Sequence, residues 1–238
     1  MQLPPLESGI LIRRYKRFLA DVQLDSGEQI TAFTPNTGSM QGCSEPGSPV
    51  RLSKSGNPSR KYPYTLELVK SGSVWVGVHT GRPNHLVREA VENGVIPELR
   101  GYDQVRQEVR YGVGSRIDLL LSTDSQLCYV EVKNVTLVQH STAFFPDALT
   151  SRGTKHLNEL IEQVRAGHRA VMVYTVQRAD ARSFAPAAHI DPVYARTFYK
   201  ALDIGVEMLI IRAKITETSI KLNKPLYLNP TGKYEQNV

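Results

Sequence analysis

The spacing of apolar and polar positions changes about a third of the way along the chain. Up to residue 80 the pattern alternates with a period of two, in short runs broken by turn-forming clusters. That is the pattern of strands with one buried face. The predicted strands are residues 10–14, 18–24, 29–33, 50–54, 64–70 and 74–79. Asp25-Ser26-Gly27, Ser55-Gly56-Asn57-Pro58-Ser59 and Ser71-Gly72-Ser73 separate them, and a glycine- and proline-bearing loop runs from Pro35 to Pro49. Short strands at this spacing predict a small barrel.

After Thr80-Gly81-Arg82-Pro83 the period lengthens, which places a domain boundary there, between units 1–80 and 81–238. Asn84 is the expected cap of a helix over 85–93, with Leu86, Val87, Ala90 and Val91 on its apolar arc and Gly94 at its end. Strands are predicted at 104–111, 116–122 and 126–138, then a loop over 139–149. A helix beginning at Thr150 or Ser151 carries Leu157, Leu160, Ile161 and Val164 at i, i+3, i+4 and i+7 and closes at Gly167, with Arg152, Lys155 and His156 off that stripe. Residues 170–176 are apolar almost throughout, as in a strand covered on both faces. A helix capped by Asp191 reaches about residue 202, strands follow at 207–215, 220–222 and 226–228, and a polar tail begins at Asn229. The expected fold is mixed α/β: a barrel, then a mixed sheet between helices.

Composition changes the picture in a few ways. The net charge is +6, which suits a polyanionic partner. Arg13, Arg14, Lys16 and Arg17 fall within five residues around Tyr15, and Arg60-Lys61-Tyr62 repeats the basic-aromatic pairing. Two readings stay open for the first cluster: phosphate contacts with Tyr15 stacked on a base, or a strand edge kept soluble by charge. Asn36-Thr37-Gly38-Ser39 offers donors in a loop that a phosphate can approach, or forms an ordinary turn. Arg152 and Lys155 at a helix start make a further phosphate site or a plain basic first turn. Cys43 and Cys128 are far apart, and the six histidines show no ligand spacing, so no disulfide framework or zinc site is expected. With no leader-like start and no membrane-length apolar run, the expected location is the cytoplasm.

The candidate chemistry lies in two of the predicted strands. Asp118 sits inside the apolar run Arg116-Ile117-Asp118-Leu119-Leu120-Leu121, where an ionised carboxylate needs a partner. In Tyr129-Val130-Glu131-Val132-Lys133, alternation puts Tyr129, Glu131 and Lys133 on one face. If the two strands pair, Asp118 and Glu131 converge with Lys133 beside them. Two carboxylates can hold a divalent cation, and a lysine can orient water or offset developing charge. An acid-x-base triplet is also common on solvated strands.

Asp118 with Glu131-Val132-Lys133 resembles the PD-(D/E)XK nuclease signature, with Ile117 in place of that signature's proline. The wider chain resembles the sugar fermentation stimulation protein family. The likeness runs through Arg14-Tyr15-Lys16-Arg17-Phe18, Pro35-Asn36-Thr37-Gly38, Arg60-Lys61-Tyr62-Pro63, Phe145-Pro146-Asp147-Ala148, Arg152-Gly153-Thr154-Lys155-His156-Leu157 and His189-Ile190-Asp191. The resemblance implies an N-terminal OB-fold, a nuclease-like C-terminal domain and a bacterial DNA-binding protein tied to sugar (maltose) metabolism. It also implies Mg2+ or Mn2+ held by Asp118, Glu131 and the Val132 carbonyl, with Glu89 as an added ligand or else a surface acid. Two functions follow: a metal-dependent nuclease, or a DNA-binding regulator without chemistry. The expected partner is nucleic acid, DNA first, with no membrane and no small-molecule cofactor.

Overall fold

The structure is a computed structural model and describes residues 1–112 and 114–229. Val113, in the predicted turn 112–114, and the polar tail beyond Asn229 lie outside the described residues.

Strands β1 (Leu6–Tyr15), β2 (Leu19–Leu24), β3 (Gln29–Phe33), β4 (Pro49–Lys54) and β5 (Tyr64–Ser71) run in the order β3-β2-β1-β4-β5. β3 then meets β5 in parallel at Phe33 and Thr65, which closes a five-stranded barrel. The period of two fills it: Leu11, Val22, Leu24, Val50, Leu52 and Leu66 point inward and are at most 4% exposed. Irregularities between Leu11 and Arg13 and between Arg51 and Leu52 bend the strands round the closed wall. β6 (Val74–Gly77) continues from β5 as a hairpin.

The second unit begins with helix α1 (Arg82–Glu92), followed by β7 (Gln104–Tyr111), β8 (Ser115–Ser122), β9 (Leu127–Val135), β10 (Leu137–Gln139) and β11 (Thr142–Phe145). Then come α2 (Ser151–Arg165), β12 (Arg169–Val176), β13 (Ser183–Pro186), α3 (Pro192–Ile204), β14 (Glu207–Ile215), β15 (Ile220–Pro225) and β16 (Tyr227–Leu228). The main sheet has the order β15-β14-β12-β9-β8-β7, parallel through β9, β12 and β14 and antiparallel at both margins. β12 explains its own apolar run. Val171 and Val173 pack toward α1, while Met172 and Tyr174 pack toward α2 and α3.

β5 joins the two units. Residues Tyr64 to Val69 are all buried because one face lines the barrel and the other meets the second unit. Leu68 belongs to the same core as α1, and the carboxylate of Glu67, 2% exposed, takes a two-pronged hydrogen bond from Arg82.

Several sequence expectations need correction. α1 starts before Pro83, because proline is tolerated in a first helical turn; Asn84 is therefore inside the helix, and Gly81 stands at the cap. Phe18 lies in the β1–β2 turn rather than in a strand. The predicted strand 126–138 is two strands, and the expected loop 139–149 contains β11. β11 and β13 pair in parallel within a small second sheet. These strands are three or four residues long, too short for periodicity to register.

Candidate metal and nucleic-acid site

The β8–β9 ladder pairs Ser122 with Leu127 and stops at Leu119 with Val130, while β9 runs on beside β12 to Val135. The two strands part where Asp118 and Glu131 stand. Opposite Asp118 on the other side, Glu108 adopts a left-handed backbone (φ 54°), and Asp118 has no register partner in β7 either. The carboxylate occupies the gap. Val132 N–H, which lies in the plane of the sheet, donates to Asp118 Oδ2 at 2.7 Å. Asn84 Nδ2, from α1, donates to Oδ1 at 2.7 Å.

Glu131 is met from the other face. Its Oε1 accepts from Lys133 Nζ at 2.6 Å and from His156 Nδ1 of α2. Its Oε2 is buried and has no partner among the described residues. Burial pushes the Asp118 carboxyl up to about 6, and the Glu131 charge pushes the same way against the Val132, Lys133 and Asn84 contacts. Burial also works to raise Glu131, but the Lys133 charge and the His156 hydrogen bond outweigh it and hold Glu131 below its ordinary value. Two acids that feel each other are thus driven apart, one readily protonated and the other firmly ionised. Nearby, burial and then the Glu131, Glu159 and Asp118 charges raise the Tyr111 phenol, whose buried hydroxyl has no well-formed hydrogen bond among the described residues.

A groove of about 650 Å³ opens between the barrel and this site. Val132, Lys133, Thr150 and Arg152 line it from the second unit, with Arg14, Arg17 and the loop 36–39 opposite. Asp147 ties the two sides: its carbonyl accepts from Ser39 Oγ at 2.6 Å, and its Oδ2 accepts from Met40 N at 3.0 Å. A Cβ on Gly38 would meet Asp147 Oδ1 at 2.6 Å, so this close approach needs glycine.

The predicted binding residues divide. Arg14 is a structural clamp: its guanidinium donates to the carbonyls of Arg17, Asn36, Gly38 and Ser39. Asn36 is 5% exposed and its Oδ1 accepts from Gly38 N, so it shapes the loop. Arg13 bonds to Asp21 and lies over the Tyr15 ring, whose hydroxyl also donates to Asp21. Lys16 and Arg17 sit exposed at the hairpin tip, both with positive φ. Arg60 donates to Thr65 Oγ1 and Lys61 lies over the Tyr62 ring, both outside the groove lining. Lys155 is half exposed and 3.6 Å from Glu159. Thr150, not a basic residue, closes the α2 N-terminus by accepting from Gly153 N at 3.0 Å.

Glu89 also stands elsewhere than the family pattern implies. Its carboxylate pairs with the Met1 ammonium at 2.8 Å, and the α1 residue that reaches Asp118 is Asn84, nearer the helix start. The sequence pattern puts His156 off the α2 stripe, yet it is 5% exposed and faces Glu131. The spacing carries that burial, because Gly153, His156 and Leu160 follow the i, i+3, i+7 repeat of the buried face.

A divalent cation fits this donor set in chemistry. Carboxylates and a backbone carbonyl are hard oxygen donors of the kind Mg2+, Mn2+ and Ca2+ take. The orphaned Glu131 Oε2 and the mutual repulsion of the two acids are both features that a cation relieves. Among the described residues no group of three His, Cys, Asp or Glu side chains is spaced to hold a metal. The protein's own share would therefore be Asp118, Glu131 and the backbone.

Residues 12–78 match the family model of the SfsA N-terminal OB domain, and residues 81–219 match that of the sugar fermentation stimulation protein RE domain. Sugar fermentation stimulation protein homologs are similar along almost their whole length. That of Citrifermentans bemidjiense is 58% identical over 95% of this chain and 98% of its own. That of Geobacter sulfurreducens is 56% identical over 95% and 97%. Among solved structures, Pyrococcus furiosus SfsA in complex with Ca2+ superposes with a TM-score of 0.87 at 26% identity, covering 96% of this chain and 98% of that one.

Proposed function

The chain belongs to the sugar fermentation stimulation protein family, and on that premise we propose that it binds nucleic acid, DNA first, and hydrolyses phosphodiester bonds with a divalent cation held by Asp118 and Glu131. One observation carries the reading. At the point where β8 and β9 part, two acids of opposite pKa displacement lie beside an inward lysine, and Glu131 Oε2 is buried with no hydrogen-bond partner among the described residues. Pyrococcus furiosus SfsA, solved with Ca2+, supports an oxygen-seeking cation in this family.

When bound, Mg2+ or Mn2+ would polarise a phosphoryl oxygen and lower the pKa of water. The chain does the rest. Asn84 and the Val132 N–H fix the Asp118 carboxylate in the strand gap. Lys133 lines the groove, donates to Glu131 and presents a positive charge where a phosphate gains negative charge. Arg17 and Arg152 line the same groove and supply cations for the flanking backbone. The barrel forms the opposite wall, and OB barrels commonly take single strands.

A second reading has its own support. Both Asp118 oxygens already accept hydrogen bonds and Glu131 Oε1 already has two partners, so the site is largely satisfied within the chain. That arrangement suits a DNA-binding regulator of sugar metabolism without hydrolysis. The two readings separate in a cleavage assay on labelled single- and double-stranded DNA and RNA with Mg2+ or Mn2+. A nuclease cleaves as wild type and loses cleavage in both Asp118→Ala and Lys133→Met. A wild-type chain that binds DNA and cleaves nothing with either cation leaves the regulator.

A further inference from the structure

The partners of His156 leave little freedom in its imidazole. Arg152 Nε lies 3.3 Å from His156 Nε2, and a guanidinium can only donate. The ring must therefore accept at Nε2, and a neutral imidazole has one acceptor. The proton is on Nδ1, which faces Glu131 Oε1. Lys133 Nζ is 3.2 Å from the same Nδ1, but it has Oε1 to donate to at 2.6 Å. The chain of donors thus runs from Arg152 to His156 to Glu131. It ends on one oxygen of the carboxylate, and the other is the buried atom without a partner among the described residues.

We propose that Arg152 and His156 form a positioning relay that turns Glu131 Oε1 into the protein and leaves Oε2 for the cation. The inference rests on the metal-dependent reading above. The relay has the logic of outer partners that orient metal ligands, with histidine here orienting the ligand instead of binding the metal. α2 builds it from spacing alone: Arg152 and His156 are four residues apart, one turn along the same helix, so the guanidinium reaches the ring's Nε2. Gly153 beside them packs where a Cβ would come within 3.0 Å of Tyr194, which lets the helix sit close. Arg152 also lines the groove, so the residue that orients the ligand set stands where a phosphate backbone would lie.

Two amide variants test it, because they place their donors at different ring positions. Asparagine puts its amide where imidazole Nδ1 stands; glutamine puts it where Nε2 stands. Mn2+ affinity is measured by calorimetry and by electron paramagnetic resonance of free Mn2+, on the full chain without nucleic acid. His156→Asn is expected to stay within about threefold of wild type, whereas His156→Gln loses roughly 10–100-fold. Thermal unfolding of the two variants without metal checks that packing loss is alike in both. Independently, two-dimensional 15N spectra of the histidine rings of the wild-type chain should show His156 with its proton on Nδ1, the less common form of free histidine. Equal Mn2+ affinity in the two variants, or a proton on Nε2, overturns the relay while the proposed function stands. Wild type that takes up no Mn2+ overturns both.

Discussion

Replacing Asp118 by asparagine should change stability in a way that depends on pH. The wild-type carboxyl is raised from an ordinary 3.8 to about 6. At ~1.4 kcal/mol per unit, the ionised folded state carries a penalty of about 3 kcal/mol. The sign follows from the direction of the shift. An acid with a raised folded pKa destabilises the protein above that pKa, and the penalty vanishes below the unfolded value. By linkage about half of it, roughly 1.4 kcal/mol, develops between pH 5 and pH 8. Asp118→Asn removes the charge but sets an NH2 group against either Asn84 Nδ2 or the Val132 N–H, which costs about 1–3 kcal/mol at every pH. The variant should therefore lie about 0–2 kcal/mol above wild type at pH 8, and its stability relative to wild type should be about 1.4 kcal/mol lower at pH 5 than at pH 8. Urea unfolding in EDTA at the two pH values measures the gap. A variant-minus-wild-type difference that is the same at both, or that favours the variant less at pH 8 than at pH 5, refutes the account of Asp118 as a strained buried charge. Mn2+ at about 100 times its Kd should then stabilise wild type by about 2.7 kcal/mol and leave the variant unmoved.

Other perturbations separate roles that the sequence runs together. Arg14→Ala should cost several kcal/mol in unfolding experiments, by order of magnitude the loss of charge-assisted hydrogen bonds at about 1.5–3 kcal/mol each, whereas Arg17→Ala should leave stability alone and lower the log–log salt slope of DNA binding by about 0.7–0.9. Gly38→Ala should lower the melting temperature through its clash with Asp147, at about 1–3 kcal/mol, while Gly56→Ala, with open space around it, should be neutral or slightly stabilising. Arg82→Ala strands the buried Glu67 carboxylate and should cost about 3–5 kcal/mol, read by calorimetry; a smaller loss would mean Ser53, which also donates to Glu67, suffices.

Much of this protein was determined locally. Strand period, turn residues and helix stripes are short-range properties, and they placed most of the barrel strands, the apolar arc of the first helix and the apolar strand β12. The acid pair with its lysine was legible too, because strand alternation put Glu131 and Lys133 on one face without any knowledge of neighbours. What the sequence could not determine was partnership. Arg14 and Arg17 are the same residue type three positions apart, yet one is spent on three carbonyls of the distant loop 36–39 and on that of Arg17, and the other side chain is exposed in the groove. Glu89 and Asn84 share a helix, and only the packing of α1 on the sheet chose Asn84 for Asp118. His156 became a site residue because α2 lies across β9 at that height. The parting of β8 from β9 is a long-range event, set by where a ladder between strands ends. Periodicity reports which face of an element is buried; only tertiary structure decides what meets that face, and the chemistry of Asp118 and Glu131 depends on the second.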